Sequence, residues 1–379
     1  ISGELTREAG EDAGDYAITQ GTITAGDNYE ITFVDGTFTI NKADLTITAQ
    51  NRIKAWGQAI DFEGYEFTTT GLVANGVDEV TSVTLTSAGA EAEADLGDYD
   101  IIPSDAQGTG LANYNIIYVN GTLTVSDLTE LTLTGLTADN KEYDGTTSAT
   151  ISAWGTLVGI EGTDDVSLVE SATAVFLNRN AGTGKDVRVT GLALTGANAG
   201  DYFINPHTVT ANITAKELTV GGTFTATSKT YDGNTAASIS GENLTLVGII
   251  APDQVTLDAV GAFNTKAAGN GRVVSLTNES SLSGSSAANY SISLDGAPTT
   301  TADIDKLTIG VTDAEAQDRA YDGTTTASIS GATIAGVIAA DVVTLENDTE
   351  GTFAQHTVGT DISVTTAMTL SGADAANYL

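Results

Sequence analysis

Short stretches of the chain alternate apolar and polar residues, and turn residues separate these stretches. The runs Leu45-Thr46-Ile47-Thr48, Leu131-Thr132-Leu133-Thr134 and Val187-Arg188-Val189-Thr190 show the alternation most clearly. A period of two places apolar side chains on one face of a β-strand and Thr, Ser or charged side chains on the other. No window of helical period extends beyond about two turns. The pattern therefore predicts an all-β protein, with several strands in roughly every ninety residues.

One tripeptide, Tyr-Asp-Gly, recurs along the chain from residue 143 onward. It occurs as Tyr143-Asp144-Gly145, Tyr231-Asp232-Gly233 and Tyr321-Asp322-Gly323, and successive copies are 88 and 90 residues apart. A repeat of this length can close its own small core. The repeats are therefore predicted to be tandem domains and not the units of a solenoid, which bury their apolar faces only against neighbours.

The tripeptide is typical of a tight turn. Gly adopts positive φ without steric cost, and an Asp side chain can bond to the backbone two residues on. Tyr is a good strand residue, and the Thr, Ala, Ser and Ile residues that follow alternate as in a half-buried strand. We interpret each copy as a strand, a turn and a second strand, in the manner of a hairpin. The alternative is that Asp144, Asp232 and Asp322 are ligands.

Further positions recur at fixed offsets within the same repeats. Each copy has a Gly five residues before an Asp, a Phe six before a Gly, and a Gly six before a Tyr. The pairs are Gly159/Asp164, Gly248/Asp253, Gly336/Asp341, Phe176/Gly182, Phe263/Gly269, Phe353/Gly359, Gly196/Tyr202, Gly284/Tyr290 and Gly372/Tyr378. Such repetition identifies positions that the fold requires, and the recurring Phe and Tyr are predicted to be core residues.

The repeats divide the chain into five segments. Residues 44–127 form a module of a first kind, and residues 1–43 match its C-terminal half, since Asn28-Tyr29-Glu30-Ile31 recurs 85 residues later as Asn113-Tyr114-Asn115-Ile116. The Tyr-Asp-Gly modules occupy 128–215, 216–305 and 306–379, and the third is truncated. No junction contains a Gly-, Ser- or Pro-rich linker. We predict a tandem array of small antiparallel β-sandwich-like (immunoglobulin-like) modules of about 85–90 residues that forms an extended rod.

Composition narrows the classes of function. The 50 acidic and 14 basic residues give a formal net charge of −36, which repels nucleic acid and anionic membranes. The absence of Cys excludes disulfides, thiolate metal sites and cysteine catalysis. No stretch approaches the ~20 consecutive apolar residues of a membrane helix. We therefore expect neither nucleic acid binding nor membrane insertion.

No constellation of catalytic residues is present, and we expect no enzymatic activity. The two histidines, His207 and His356, occupy different places in their modules, and no P-loop, G-x-S-x-G or H-E-x-x-H motif occurs. Calcium is the one cofactor to consider, because it prefers clustered carboxylates. The candidate ligands are Glu161, Asp164 and Asp165, with Asp253 and Asp341 at the repeated position. The alternative is that these Asp residues only cap turns.

The motifs resemble two families of repeat domains. The pattern Lys-x-Tyr-Asp-Gly-[Thr/Asn]-Thr, at 141–147 and 229–235, is similar to the YDG domains of large bacterial surface proteins. The third copy departs from it, with Arg319-Ala320 before Tyr321. Segments 1–43 and 44–127 resemble the Gly-rich MBG domains, with Lys54-Ala55-Trp56-Gly57 where those domains usually have Lys-x-Tyr-Gly.

The resemblance implies a giant secreted bacterial exoprotein, similar to filamentous-haemagglutinin-like adhesins, at the cell surface or in the extracellular space. Arrays of this kind are implied to be stalks that contribute to cell adhesion, a biofilm matrix or an extracellular filament. The implied partners are other modules of the same long chain, identical chains in a fibre, and a host, cell or matrix surface. The resemblance carries over no catalytic residue.

Two alternatives to a plain stalk stay open. The incomplete segments 1–43 and 306–379 could exchange strands between chains and so build a filament. Alternatively, the alternating Thr rows or the acidic turns could bind a glycan or calcium, as in an adhesive module.

Overall fold

The structure is a computed structural model, and it describes residues 1–73 and 78–379. Throughout these residues the regular elements are β-strands and four 3₁₀ turns, at Leu111–Asn113, Ala199–Asp201, Ala287–Asn289 and Ala375–Asn377. None of these helical turns is long or apolar enough to cross a bilayer. The all-β prediction is confirmed. Its physical basis is that short alternating stretches between abundant turn residues leave no segment with a helical apolar face.

The described chain divides into two compact units. The first contains Ile1–Lys216 together with Ile250–Val255 and Gly284–Ser291. The second contains Glu217–Ile249, Thr256–Ser283 and Ile292–Leu379. Two loops of the second Tyr-Asp-Gly module, at 250–255 and 284–291, therefore belong to the first unit, with the module that precedes them.

Residues 1–43 and the module at 44–127 are built from strands β1 to β10. Strands β1, β2 and β3 form one antiparallel sheet. The complete module has two sheets, with strand orders β6-β4-β9 and β5-β10-β8-β7. The strands are β1 (Thr6–Arg7), β2 (Gly14–Thr19), β3 (Gly36–Ile40), β4 (Ala43–Ala49), β5 (Arg52–Ala55), β6 (Phe67–Thr70), β7 (Glu79–Thr86), β8 (Gly97–Thr109), β9 (Tyr114–Val119) and β10 (Gly121–Ser126).

The first Tyr-Asp-Gly module has three sheets, with strand orders β14-β11-β19, β12-β20-β17-β16-β13 and β15-β18. Its first strand follows β10 after two residues, so strand continues into strand without a flexible linker. The strands are β11 (Thr129–Ala138), β12 (Lys141–Glu142), β13 (Ser148–Ala149), β14 (Ile151–Val158), β15 (Ser167–Val169), β16 (Thr173–Phe176), β17 (Gly182–Thr190), β18 (Ala193–Thr195), β19 (Tyr202–Ile204) and β20 (His207–Thr214).

The second Tyr-Asp-Gly module repeats this plan. Its strands β22-β30-β27-β26-β23 form a five-stranded sheet, β25 pairs with β28, and β21 pairs with β24. The strands are β21 (Lys216–Ala226), β22 (Lys229–Thr230), β23 (Ala236–Ala237), β24 (Ile239–Val247), β25 (Thr256–Asp258), β26 (Gly261–Phe263), β27 (Gly269–Leu276), β28 (Ser281–Ser283), β29 (Tyr290–Ser293) and β30 (Thr299–Asp305).

The third Tyr-Asp-Gly module has the sheets β31-β34, β32-β33-β36-β37 and β35-β38. Leu307 also bridges to Tyr378 in parallel. The strands are β31 (Gly310–Thr312), β32 (Glu315–Ala316), β33 (Thr326–Ser330), β34 (Thr333–Ala335), β35 (Thr344–Glu346), β36 (Glu350–Phe353), β37 (Val364–Thr366) and β38 (Thr369–Ser371).

The sheets are mixed, whereas the alternating pattern is expected to form antiparallel modules. In the first Tyr-Asp-Gly module β11 pairs with β19, and β12 with β20, in parallel. In the module before it, β4 pairs with β9 and β5 with β10 in parallel. Half-buried strands alternate apolar and polar residues whichever way their neighbours run. The alternation therefore identifies the strands and their inner faces but not their relative direction.

The alternating strands supply the apolar cores of the module at 44–127 and of the first and second Tyr-Asp-Gly modules. Leu45 and Ile47 of β4 are fully buried against Ile101 and Leu123 in the first complete module. In the first Tyr-Asp-Gly module, Val187 and Val189 of β17 are likewise fully buried. Each such side chain contributes roughly 1.5–3 kcal/mol relative to exposure, so a few of them per sheet suffice to hold a small module together.

Arg188 departs from the simple alternation of β17. The side chain lies on the polar face between Val187 and Val189, yet only 4% of it is exposed. The nearby charges that shift the pKa of Arg188 belong to the preceding module, and the attraction to Glu66 is the strongest of them. Burial lowers the pKa of Arg188, and Glu66 partly offsets that effect. The polar face of this strand is therefore covered by the neighbouring module within the first unit, which the sequence pattern alone does not predict.

Candidate functional site

The Tyr-Asp-Gly turn is held by the lysine that precedes it. In the first module Lys141 Nζ donates hydrogen bonds to Asp144 Oδ1 at 2.7 Å and to the backbone oxygen of Thr146 at 2.8 Å. Asp144 Oδ1 also accepts the backbone N–H of Thr146 at 2.8 Å, in the two-residue turn that Asp favours. The Lys141 ammonium lies 5.6 Å from the centroid of the Phe176 ring. Lys141 thus contacts the Asp and Thr of the motif and the recurring Phe.

The second copy of the turn repeats these contacts. Lys229 Nζ donates to Asp232 Oδ1 at 2.8 Å and to the backbone oxygen of Asn234 at 2.9 Å, and it lies 5.6 Å from the Phe263 ring centroid. Thr146 and Asn234 both carry a side-chain oxygen that accepts from the lysine. This shared acceptor explains why the motif takes either Thr or Asn at this position.

The third copy keeps the turn with a different cation. Arg319 forms an ion pair with Asp322, donates to the backbone oxygen of Thr324 at 2.5 Å, and lies 5.4 Å from the Phe353 ring centroid. Hydrogen bonds from Thr324 and then Arg319 hold the pKa of Asp322 below its usual value. Arg319 therefore replaces the lysine of the other copies without loss of the turn.

The turn does not close a hairpin, contrary to our interpretation of the sequence. Strands β12 and β13 flank the first turn, but they lie on opposite edges of the five-stranded sheet and pair with β20 and β16. The predicted backbone conformation does occur, with φ of +76° at Gly145, +80° at Gly233 and +76° at Gly323. Asp-Gly identifies a turn, but the partners of the flanking strands depend on residues far away in the chain.

The tyrosine of the first turn reaches a carboxylate 110 residues further on. Tyr143 OH donates to Asp253 Oδ2 at 2.7 Å, and Tyr290 OH donates to the same oxygen at 2.6 Å. The two rings meet edge to face, with centroids 5.4 Å apart and an interplanar angle of 78°. Arg179 lies 3.8 Å from Asp253 Oδ1. We call this arrangement of two tyrosines on one aspartate the tyrosine clamp. All of its residues lie in the first unit.

A second tyrosine clamp repeats the first within the second unit. Tyr231 OH donates to Asp341 Oδ2 at 2.7 Å, and Tyr378 OH donates to the same oxygen at 2.6 Å. The ring centroids are 5.5 Å apart at an angle of 76°. Lys266 Nζ lies 3.4 Å from Asp341 Oδ1, where the first clamp has Arg179. Each clamp joins the turn of one Tyr-Asp-Gly module to the loops of the next.

Local structure positions each clamp residue. The backbone N–H of Tyr143 donates to Thr214 O, so the tyrosine lies beside the end of the last strand, where the chain leaves its module. Asp253 is in the loop that follows the recurring Gly248. Tyr290 follows the 3₁₀ turn Ala287–Asn289, and its hydroxyl accepts the backbone N–H of Ile250 at 3.0 Å. Tyr290 therefore holds the Asp253 loop of its own module as well as the carboxylate.

An asparagine next to each clamp adds a contact between modules. Asn289 Oδ1 accepts the backbone N–H of Ala181 at 2.9 Å, and its Nδ2 donates to Asn180 Oδ1 at 3.2 Å. In the second unit, Asn377 Oδ1 accepts the N–H of Ala268 at 2.9 Å. The loop after the recurring Phe of one module is thereby tied to the 3₁₀ turn of the next.

The glycine of the turn also meets the next module. A Cβ added at Gly145 would lie 3.2 Å from Cγ2 of Ile250, and one added at Gly233 would lie 3.2 Å from Cγ2 of Ile338. Such contacts are tighter than ordinary van der Waals packing. Glycine is therefore favoured here both for its positive φ and for the close approach of the following module.

The environment of the clamps shifts the ionisation of their members. Burial, followed by the hydrogen bond to the aspartate, raises the pKa of Tyr231 and Tyr290 to about 12 and raises the pKa of Tyr143 as well. Hydrogen bonds from Tyr378 and Tyr231 lower the pKa of Asp341. The neutral phenols and the charged carboxylate thus stabilise each other, as charge-assisted hydrogen bonds do.

Two positions that correspond to the clamped tyrosines are exposed to solvent. Tyr321, in the third turn, is 66% exposed, whereas Tyr143 and Tyr231 are 1% and 2% exposed. In the module at 44–127 the place of the tyrosine is taken by Trp56, which is 62% exposed. Trp56 and Tyr143 share the same backbone contact, since the N–H of each donates to the end of the last strand of its module. The structure thus contains both clamped and unclamped versions of this position.

The module at 44–127 contains the aspartate–tyrosine pair without the second tyrosine. Tyr114 OH donates to Asp78 Oδ2 at 2.6 Å and accepts the N–H of Val73 at 3.0 Å. Asn113, which precedes this tyrosine, accepts the N–H of Ala13 at 2.7 Å. The Asn-Tyr dipeptide therefore has the same contacts in both kinds of module.

The carboxylates that we considered as calcium ligands have other contacts. Asp253 and Asp341 accept tyrosine hydroxyls in the two clamps, and Asp164 Oδ2 accepts Tyr202 OH at 2.6 Å. Asp165 Oδ2 accepts the N–H of Ala197 at 3.2 Å, while the N–H of Glu161 donates to the hydroxyl of Tyr202. Within residues 1–73 and 78–379, no three His, Cys, Asp or Glu side chains are grouped so as to hold a metal ion.

Every clamp residue is a recurring position in the sequence, but the recurrence does not predict the clamp itself. The repeat pattern predicts tyrosines in the module cores, whereas the loops of the next module bury Tyr143 and Tyr231. The available signal was the equal spacing, since residues 143, 253 and 290 each recur 88 positions later at 231, 341 and 378. Equal spacing shows that three positions belong together, but it does not show that one of them lies in the preceding repeat.

Comparison with known families assigns both kinds of module. The model of the YDG domain matches residues 127–211, 214–302 and 304–379. The model of the MBG domain (YGX type) matches residues 1–39 and 45–124. Among solved structures, the chain is similar to the immunoglobulin domains 1–5 of Sidekick-1, with 10% sequence identity, 94% of this chain and 76% of that chain covered, and a TM-score of 0.19. No curated protein matches the chain.

We predict that Tyr143→Phe destabilises the contact between the first two Tyr-Asp-Gly modules. The change removes one hydroxyl from the nearly buried Asp253 carboxylate, and a hydrogen bond to a charged group contributes about 1.5–3 kcal/mol. Thermal unfolding of the full chain should show a lower first transition, and amide hydrogen exchange should increase in 250–255. Tyr321→Phe is the matched control, because Tyr321 is exposed. Equal effects of the two substitutions would contradict the clamp.

We predict that Gly145→Ala costs more stability than Gly323→Ala. Both substitutions place Ala at a φ of +76°, which costs about 1–2 kcal/mol. Only at Gly145 does the new methyl meet an isoleucine of the next module. Chemical denaturation of the two variants measures the difference. A larger effect at Gly323 would show that the close approach to Ile250 is unimportant.

The second clamp predicts a stability window in pH. The lowered pKa of Asp341 means that its contribution is present above the usual value near 3.8 and is lost as the pH falls through the folded-state pKa. The raised pKa of Tyr231 means that its contribution is present below the usual value near 10 and is lost as the pH rises through about 12. Melting temperatures of the wild type and Asp341→Asn, compared across pH, should converge in acid. A constant difference down to the lowest pH would contradict this assignment.

Proposed function

The chain belongs to the YDG domain family, with MBG domains preceding its three YDG domains, and on that premise we propose that it is a tension-bearing structural segment of a large extracellular bacterial protein. In this role the array spaces adhesive parts from the cell surface or contributes to an extracellular filament or matrix. The proposed role is structural and not enzymatic. The resemblance of these repeats to those of secreted filamentous-haemagglutinin-like adhesins supports the extracellular setting.

The single observation that carries the proposal is the tyrosine clamp, present at both contacts between successive YDG modules. Each clamp joins groups from two modules that are covalently connected by a strand-to-strand passage such as β20 into β21. When the chain is pulled, the connection and the clamp resist together. A buried carboxylate separated from one of its tyrosines would remain partly desolvated without its partner, and that state is costly.

The rigidity of the turn supports the same role. Lys141 and Asp144 hold the turn through contacts within one module, so Tyr143 is presented to its neighbour in a fixed position. The turn is already ordered when its module folds, so less conformational entropy is lost when the two modules make contact. The formal net charge of −36 is compatible with an extracellular protein that must stay soluble at high local density.

Single-molecule stretching of the full chain tests the proposal. With handles at residues 1 and 379, we expect the wild type to lengthen in steps, each corresponding to the release of one module, or about 300 Å for 88 residues. The double variant Tyr143→Phe/Tyr231→Phe should unfold at lower force, because both clamps lose one hydroxyl. Tyr321→Phe serves as the control and should match the wild type.

Two results would overturn the structural role. One is continuous extension of the wild type at low force, without steps, which would mean that the modules do not resist tension. The other is identical rupture forces in the wild type and the double variant, which would mean that the clamps carry none of the load.

A further inference from the structure

Arg188 of the first YDG module is a buried cation whose donors are unused. Only 4% of the residue is exposed, and its Nε and Nη2 atoms are buried and donate to no residue in the described ranges of the chain. These two nitrogens form one edge of the guanidinium, with two parallel N–H groups, which we call the Arg188 fork. A buried charge without acceptors is costly, and a fold keeps such a group mainly where it serves a purpose other than stability.

The fold of a YDG module does not require arginine at this position. Arg188 pairs across β17 and β16 with the residue that precedes the recurring Phe of its module. The residues that pair with the same position in the second and third modules are Ser275 and Thr365. A small hydroxyl residue therefore suffices there, and the arginine is particular to the YDG module that follows the MBG module.

Glu66 exerts the strongest attraction on Arg188, but it does not bind the Arg188 fork. The Glu66 carboxylate accepts the backbone N–H groups of residues 63–65 at 2.9 to 3.1 Å. Its Oε1 atom also lies 3.9 Å from Nη1 of Arg52. Glu66 is thus provided with donors from its own module, and the fork of Arg188 is left without an acceptor.

Arg188 lines a cavity between the MBG module at 44–127 and the first YDG module, both of which belong to the first unit. The cavity has a volume of about 610 Å³, which is within the usual range for small-molecule sites. The rings of Tyr65, Phe67 and Phe176 line it as well. Gln50 also lines it, and Gln50 Oε1 is buried and accepts no hydrogen bond from the described residues. The cavity therefore combines aromatic rings with one unused double donor and one unused acceptor.

The other charged groups that line the cavity have interactions of their own. Asp78 accepts a tyrosine hydroxyl, and Arg179 belongs to the first clamp. Burial raises the pKa of Glu79, and attraction to Lys185 partly offsets that effect. Among the described residues that line the cavity, Arg188 is thus the charged group whose buried donors stay unused.

We propose that this cavity binds a sugar acid, such as a hexuronic acid unit of an acidic glycan. The ligand carboxylate accepts both N–H groups of the Arg188 fork in a bidentate pair, the geometry for which arginine is best suited. A ligand hydroxyl donates to Gln50 Oε1, and the apolar face of the sugar ring packs against the aromatic rings. Because the fork is buried, binding includes a small rearrangement of the side chains around it.

The charge of the chain makes such binding selective. A net charge of −36 repels anions on approach, so general electrostatic attraction does not hold a carboxylate here. A saturable complex with an anion therefore requires a specific donor such as the Arg188 fork. The site uses groups other than the two tyrosines and the aspartate of each clamp, so the inference adds a binding function to the proposed structural role and does not rest on it.

Calorimetric titration of the full chain with three probes tests the proposal. We expect saturable binding of D-glucuronate with a Kd of about 0.1–1 mM. Acetate keeps the carboxylate but lacks the ring and hydroxyls, and it should bind at least about tenfold more weakly. D-Glucose lacks the carboxylate and should not bind measurably. Absence of glucuronate binding would overturn the proposal, and so would equal affinities for glucuronate and either of the other probes.

Substitutions assign the ligand groups to Arg188 and Gln50. Arg188→Met keeps an apolar stem but removes the fork, and it should weaken glucuronate binding at least about tenfold. Gln50→Leu removes the acceptor, and it should weaken binding of glucuronate by roughly tenfold but leave that of acetate unchanged. Lys306→Met removes the same charge from an exposed position in the second unit and should bind like the wild type. Undiminished glucuronate binding by Arg188→Met would contradict the assignment.

Thermal unfolding separates a ligand site from a structural arginine. A buried cation without a partner does not stabilise the fold, so Arg188→Met should melt at the same temperature as the wild type or higher. Glucuronate should raise the melting temperature of the wild type but not that of Arg188→Met, because only binding to the folded state stabilises it. A destabilised Arg188→Met together with a wild type that glucuronate does not stabilise would show a structural arginine and overturn the proposal.

Two further comparisons keep the test decisive. Gln50→Leu retains Arg188, so its selective loss of glucuronate over acetate is an independent answer even where Arg188→Met does not fold. Equal losses for the two probes in Gln50→Leu would contradict the hydroxyl contact. The stretching experiment reports on the tyrosine clamps, so a chain that binds no glucuronate would leave the proposed structural role intact.

Discussion

The contacts between successive YDG modules depend on a carboxylate that two tyrosines share. Asp253 and Asp341 are largely removed from water, and a charge in that position must be compensated by hydrogen-bond donors. One donor comes from the same module and the other from the module before it. The aspartate therefore accepts both tyrosine hydroxyls only when two modules are in contact. The interface forms because the buried carboxylate needs hydrogen-bond donors from both modules. The hydrogen-bonded turn, its glycine and the asparagine contact together place the second tyrosine hydroxyl beside that carboxylate.

The sequence predicted much of the fold, because the fold is repetitive and locally encoded. Alternation in Leu45–Thr48 and similar runs identifies the strands, and Asp-Gly at 144–145 identifies a turn with positive φ. The prediction failed where the outcome depends on distant residues. The strands flanking the turn pair with β16 and β20 and not with each other. Arg188 is buried by another module. Tyr143 meets an aspartate 110 residues away, and recurrence cannot reveal which copy of a repeat a side chain faces.

The two kinds of module share one arrangement of a 3₁₀ turn, a tyrosine and an aspartate, but they differ in what else contacts it. In each, a 3₁₀ turn precedes a tyrosine whose hydroxyl donates to an aspartate, as in Tyr114 with Asp78 and Tyr290 with Asp253. The asparagine before that tyrosine binds a backbone N–H of an earlier module, whether Ala13 or Ala181. The YDG modules add the second tyrosine, and the MBG module has the exposed Trp56 in its place. Contact through the asparagine is thus common to both kinds, and the shared carboxylate belongs to the YDG modules.

The spacing of the clamp residues has a consequence for how such a chain changes over generations. Tyr143, Asp253 and Tyr290 each recur 88 residues later, at Tyr231, Asp341 and Tyr378, and the YDG modules at 128–215 and 216–305 each carry both a donor turn and an acceptor loop. Unequal recombination that duplicates or removes one whole repeat therefore creates a new boundary at which donor again meets acceptor. No compensating substitution is needed. The length of the array can therefore change by whole repeats, while a donor tyrosine still meets an acceptor aspartate at each boundary between YDG modules.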